Sequence, residues 1–237
     1  MDGDGRDSGG EPVRPALARE AVRVYRRYQE EIVESLNLCP WAERARQDGR
    51  VREEVVFATS LDDASLALAL DATAVFAEDE SVEIGLILFP RLVTPPTAFE
   101  RFVSLLSAAD ADRRPIGSAP FAMAAFHPHA APDLRDPERL IPFLRRSPDP
   151  TVQLIRCQSL DRVREGFHEG TAFVDVSAIA ALTMSTEDTI PLRTRIARAN
   201  ERTVRKVGVA EIERRLSSIA ADRDAAYARL GEPPREP

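Results

Sequence analysis

Lysine is almost missing from this chain: Lys206 is the single one, and every other basic side chain is arginine. That bias is what a GC-rich genome produces, and no function is read from it. Cysteine is as scarce, with only Cys39 and Cys157 among 237 residues. The two form neither a CxxC pair nor a disulfide framework, which points to reduced thiols and a cytoplasmic location. Glycine numbers 11, and none of it builds a Gly-rich phosphate loop. With GxSxG and HExxH patterns also lacking, a dinucleotide or P-loop nucleotide enzyme is not expected. The longest apolar run, residues 84–90 with Gly85 inside it, is far too short to span a bilayer. Positive charge is in deficit as well. A net charge of −7 argues against a general nucleic-acid binder, whose phosphate contacts need a basic face. The polar start MDGDGRDSGGEP lacks the apolar region of a signal peptide and reads as a tail over residues 1–14.

What is present is an ordinary globular composition, 43% hydrophobic and 30% charged, long enough to bury a sizeable core. Residues 15–232 are expected to form one domain with a helical C-terminal part, followed by a tail at 233–237. Leu17, Ala21, Val24, Tyr28, Ile32 and Leu36 recur at three- and four-residue spacing, so they predict one amphipathic helix. A short helix over residues 40–48, stopped by Gly49, should follow. Strands are predicted at residues 51–58, 82–89, 121–126 and 151–157. Helices lie between the first three, at about 60–78, capped by Ser60 or Asp62, and at about 94–110. The almost continuously apolar VEIGLILF reads as a central strand covered on both faces. This is the pattern of an α/β fold: a small mixed or parallel sheet of about four strands with crossover helices, plus N-terminal and C-terminal helices. Six prolines punctuate residues 128–150, a connection expected to be ordered and to hold a short helix near 137–144. After the fourth strand come a short helix capped by Ser159, Leu160 and Asp161, a further edge strand at 173–176, and C-terminal helices at 186–207 and beyond Gly208. Ile212, Leu216, Ile219, Tyr227 and Leu230 mark the apolar face of the last.

The residues that fit neither stripe gather at element boundaries. Cys39 stands between two helical patterns in Leu-Asn-Leu-Cys-Pro-Trp. A thiol capping a helix start faces unpaired N–H groups and a positive dipole end, which favour the thiolate; the competing reading is a small buried hydrophobe. His127 and His129 leave the third strand, and ligands in open α/β sheets bind beyond the carboxyl ends of strands. His127 is placed there as base, acid or ligand. A His-x-His pair on an extended segment, with Cys39 or His168 as third donor, would suit a metal. Arg145, Arg146 and Ser147 can grip a carboxylate or phosphate. On the C-terminal helix Arg193, Asn200 and Thr203 fall within one broad sector.

These islands resemble a family of bacterial and plastid proteins known only as a domain of unknown function, number fourteen-fifteen. The matches are Leu36, Asn37, Leu38, Cys39 and Pro40; Phe126, His127 and Pro128; Arg146, Ser147, Pro148 and Pro150; and Asn200, Thr203 and Gly208. They run in order through residues 20–208. Trp41 stands where the family has phenylalanine, Arg145 where it has asparagine, Asp149 where it has tyrosine, and His129 where an aspartate is expected. The last departure weakens the metal reading. The resemblance implies no activity, but it groups the residues.

The function expected is a cytoplasmic enzyme acting on a small anionic molecule. Cys39 would be nucleophile or ligand and His127 its base or acid; Arg146 and Ser147 would clamp the anion, and Asn37 and Asn200 would orient groups by hydrogen bonds. The alternatives are a metal site on Cys39 and His127, and a non-enzymatic binding or adaptor module. No pattern names a cofactor or an oligomeric state, and neither nucleic acid nor membrane is an expected partner.

Overall fold

The computed structural model describes residues 13–39, 41–130, 133, 135–160 and 192–233. Helix α1 (Val13–Tyr28) buries Leu17, Ala21, Val24, Tyr25 and Tyr28. The chain stays helical beyond it, but as a π-helix over Gln29–Glu34 that buries Ile32 and Val33. The predicted helix is therefore two geometries in series, and the spacing explains why. Tyr28, Ile32 and Leu36 follow at two successive four-residue steps, which overshoot a 3.6-residue turn and suit the wider i→i+5 turn. Asn37 ends the run with φ 50°, its N–H donating to the carbonyl oxygen of Glu34 at 2.8 Å. Asparagine is one of the few residues that visits this left-handed region routinely.

Helix α2 (Ala42–Gln47) is shorter than predicted, and Gly49, at φ 68°, turns the chain out of it into strand β1 (Val51–Val55). Asp62, not Ser60, caps helix α3 (Asp63–Glu78). Its carboxylate accepts from the Ser65 N–H while the Ser65 hydroxyl accepts from the Asp62 N–H, a complete capping box. Strand β2 (Ile84–Leu88) is buried throughout, and Pro96 opens helix α4 (Pro96–Asp112). Strand β3 (Phe121–Phe126) matches its prediction residue for residue. The proline-rich connection is ordered where described, and its helix contracts to a single turn, α5 (Ile141–Leu144). Strand β4 (Thr151–Arg156) runs straight into helical backbone at residues 157–160, so Ser159 lies inside a helical turn rather than capping one. Helices α6 (Leu192–Val207) and α7 (Val209–Arg229) break at Gly208, at φ 91°. The predicted strand at 173–176 lies outside the described residues, as does His168.

The sheet is mixed, in the order β1-β2-β4-β3. Strand β1 pairs parallel with β2, and β4 is antiparallel to both its neighbours, so β1, β2 and β3 share one direction. The proline-rich connection carries the chain back from the edge strand β3 and lays β4 between it and β2. Leu86, Gln153 and Ala124 fall in one row across that insertion.

Alternation along β2 divides the interior. Ile84, Leu86 and Leu88 face α1, the π-helix, α2 and α7, and Phe126 packs with them. Ile87, Phe89, Val152, Leu154 and Phe121 face α3 and α4. Gly85 also faces α3, where a Cβ would stand 2.5 Å from the Phe76 ring. The arrangement is three layers, helix on sheet on helix.

Two buried arginines fasten the layers. Arg156 donates to the carbonyl oxygens of Phe76, Asp79 and Val82, closing the C-terminal end of α3, and lies 4.8 Å from the centre of the Phe121 ring. Arg223 on α7 donates to Asp149 at 3.0 Å and to the Pro90 carbonyl oxygen at 2.9 Å. The Tyr227 hydroxyl donates to the second Asp149 oxygen at 2.6 Å, so that fully buried carboxylate is bonded at both ends.

Candidate functional site

Cys39 packs against the α1/α7 side of the sheet. The backbone N–H groups of Trp41 and Ala42 near its sulfur favour the thiolate, but Trp41 rather than Cys39 holds the N-cap position of α2, and no side chain caps it. Pro40 lies outside the described residues. The consequence for reactivity is the reverse of the expectation. Burial pushes the thiol up to about 12, against the opposing pull of the two N–H groups and the Arg145 cation. The residue keeps some surface, but its sulfur is desolvated, and an apolar environment penalises the thiolate more than a six-residue helix end rewards it. At pH 7 such a thiol stays protonated.

His127 follows β3 and is buried. Its Nε2–H donates to the Thr94 carbonyl oxygen at 2.9 Å, since a carbonyl can only accept, and that fixes the tautomer. Nδ1 then accepts from the His129 N–H at 3.2 Å. The ring tilts against Phe99, on the α3/α4 side of the sheet. Cys39 and His127 thus belong to opposite faces, and both histidine nitrogens are engaged within the protein. Among the described residues no three His, Cys, Asp or Glu side chains gather as a metal site, so the alternative built on Cys39, His127 and His129 finds no such cluster.

The remaining predicted residues divide in the same way. Arg146 donates to the Pro128 carbonyl oxygen at 3.2 Å, pairs with Glu213 at 3.8 Å and lies over the Phe143 ring. The Ser147 hydroxyl is buried and donates to the Asp149 carbonyl oxygen at 2.5 Å. Both hold the loop in shape. Asn37 is exposed at its left-handed turn. Asn200 is buried on α6 in line with Ala197 and Val204, which places it on the packed side of that helix.

Arg145 has the other environment. Its guanidinium lies 5.4 Å from the centre of the Phe126 ring, and its charge reaches Cys39 and Tyr28. It also lines a cleft of ≈ 460 Å³ at the edge strand β3. Met123 and Ala125 contribute to the floor, and His127 and His129 stand at the carboxyl end of the strand. Glu100 and Ser104 of α4 form one wall; Arg139 and Arg145, flanking α5, form the other. Arg139 keeps a loose pair with Asp133 at 3.7 Å. A larger groove of ≈ 600 Å³ runs between α1 and the opposite edge strand β1. Within it Arg26 pairs with Glu53, Arg23 reaches out to Asp222 and Arg19 is exposed, and none of the predicted site residues lines it.

Of the two adjacent arginines, Arg145 lines the cleft and Arg146 does not. Only the turn after α5 decides which of them faces the cleft. Arg139 and Glu100 carried no local signal, because each reads as a solvated helix or loop charge. Asp149 did carry one: a lone acid between two prolines beside the apolar fourth strand, a setting that calls for a buried partner.

Residues 20–190 match the family described as protein of unknown function (DUF1415), and the chain belongs to that family. The matched span includes Cys39, His127 and the arginine loop and stops short of Asn200. Neither a curated protein nor a solved structure matches the chain.

Proposed function

We propose that this protein binds a small anionic molecule in the cleft at the end of β3, and that it does so in the cytoplasm, where Cys39 and Cys157 stay reduced. One observation carries the reading: Arg139, Arg145 and His129 converge on a single cleft at the carboxyl end of a parallel-directed strand. That is where open α/β sheets hold ligands, and guanidinium groups suit carboxylate and phosphate oxygens. The volume fits a ligand of a few to about twenty atoms, small clefts of this kind spanning roughly 300–1,000 Å³. Binding is favoured over catalysis because a protonated Cys39 and a doubly bonded His127 supply neither a ready nucleophile nor a ready base.

Calorimetric titration of the full chain with inorganic phosphate and with pentanoate tests this. Saturable binding of at least one anion is expected, weakened about tenfold by Arg145→Gln and unchanged by Arg19→Gln on α1. Arg139→Gln, at the exposed rim, gives the same answer should Arg145→Gln fail to fold. Absence of binding by both anions, or affinity indifferent to both cleft arginines, overturns the proposal.

A further inference from the structure

We infer that the ligand of this cleft is a zwitterion of amino-acid type, with its carboxylate on Arg139 and Arg145 and its ammonium on Glu100; the inference rests on the anion-binding reading above. The cleft is not uniformly basic. Helix α4 packs along β3, so Glu100 lines the cleft from that helix while the two arginines line it from the segment around α5. Glu100 is exposed, and its carboxylate has no hydrogen bond or ion pair among the described residues. The hydroxyl of Ser104, one turn on, is spent on the Glu100 backbone carbonyl oxygen at 3.0 Å. A negative side chain facing an anion site repels a ligand that is only anionic, and most strongly one of high charge. The same carboxylate attracts a ligand that brings its own cation. Positive and negative groups in one cleft are the complement of a molecule bearing a carboxylate and an ammonium a few ångströms apart.

The rest of the lining sets the body of that molecule. Ala125 leaves room above the strand on the α4 side, and Val103, Ile141 and Pro142 offer aliphatic surface. A short unbranched side chain fits this better than a second charged one, whose desolvation nothing here offsets.

The test compares L-norvaline with pentanoate, which is the same acid without its amine, and with butylamine, which lacks the carboxylate. Calorimetry on the full chain should show norvaline binding about threefold to fivefold more tightly than pentanoate, the range of a half-exposed ion pair. Butylamine should bind more weakly than either. Glu100→Gln, a surface change that leaves the fold intact by circular dichroism, should bring the norvaline-to-pentanoate ratio to about one without weakening pentanoate. Pentanoate binding that depends on Arg145 yet equals or exceeds norvaline binding overturns the zwitterion and leaves the anion cleft standing. The zwitterion falls equally if the norvaline preference persists in Glu100→Gln. Binding of neither acid overturns the zwitterion, and if inorganic phosphate fails as well the anion cleft falls with it.

Discussion

A thiol at a helix start answers to two opposing effects, and at Cys39 the magnitudes decide. N–H groups and a nearby guanidinium stabilise the thiolate; removal from water destabilises it more, and the balance lies near 12. The sign for stability follows. The unfolded chain ionises this thiol first, near the ordinary value of about 9, so the neutral thiol's contribution to stability is intact below that pH and is lost as pH climbs toward 12. Burial also raises Tyr25 and Tyr28, so these groups weaken the fold in the same alkaline direction. In a Cys157→Ser background, iodoacetamide should modify folded Cys39 more slowly than free cysteine from pH 7 to 9, and urea should abolish the difference. Equal rates at pH 8 would sink the buried-thiol description. Asn37 makes a related point: a polar residue inside a chemically suggestive motif can be there for its φ, here 50°.

The elements were legible to the extent that their causes are local. Short apolar runs identified β2 and β3, and Gly49 and Gly208 mark the stops because both adopt positive φ. Helix α3 announced itself by its cap, although choosing Asp62 over Ser60 required the Ser65 partner three residues on. The π-helix is not read from the sequence as such: Tyr28, Ile32 and Leu36 count into one stripe with the α1 residues, although their four-residue steps suit the wider turn. Gly85 shows an element constrained by its neighbour: β2 approaches α3 so closely that the Phe76 ring occupies the place of a side chain. Gly85→Ala should therefore lower stability by about 1–3 kcal/mol in urea denaturation, the usual cost of overpacking. An unchanged midpoint would mean that Phe76 moves aside without penalty.

Across the whole molecule, the C-terminal helix is tied to the sheet by one buried carboxylate. Asp149 leaves the proline-rich connection, and Arg223 and Tyr227 meet it from α7, some seventy residues later, as the structure closes. Asp149→Asn leaves Arg223 buried opposite a neutral amide, and a loss of about 3–5 kcal/mol is expected, as when one partner of a buried ion pair is removed. Chemical denaturation measures it, and a loss below about 1 kcal/mol would show that water reaches the site. By itself, the sequence determined the kinds of element, their order, the α/β class and the family, because periodicity, caps and turn residues act within a few positions of one another. It also pointed to the carboxyl end of β3. Tertiary structure alone decided that β4 runs between β2 and β3, that Cys39 and His127 face opposite sides of the sheet, and that Arg145 rather than Arg146 opens onto the cleft. Strand order and facing depend on which distant surfaces exclude water together, and a chain read one residue after another does not encode that in any short stretch.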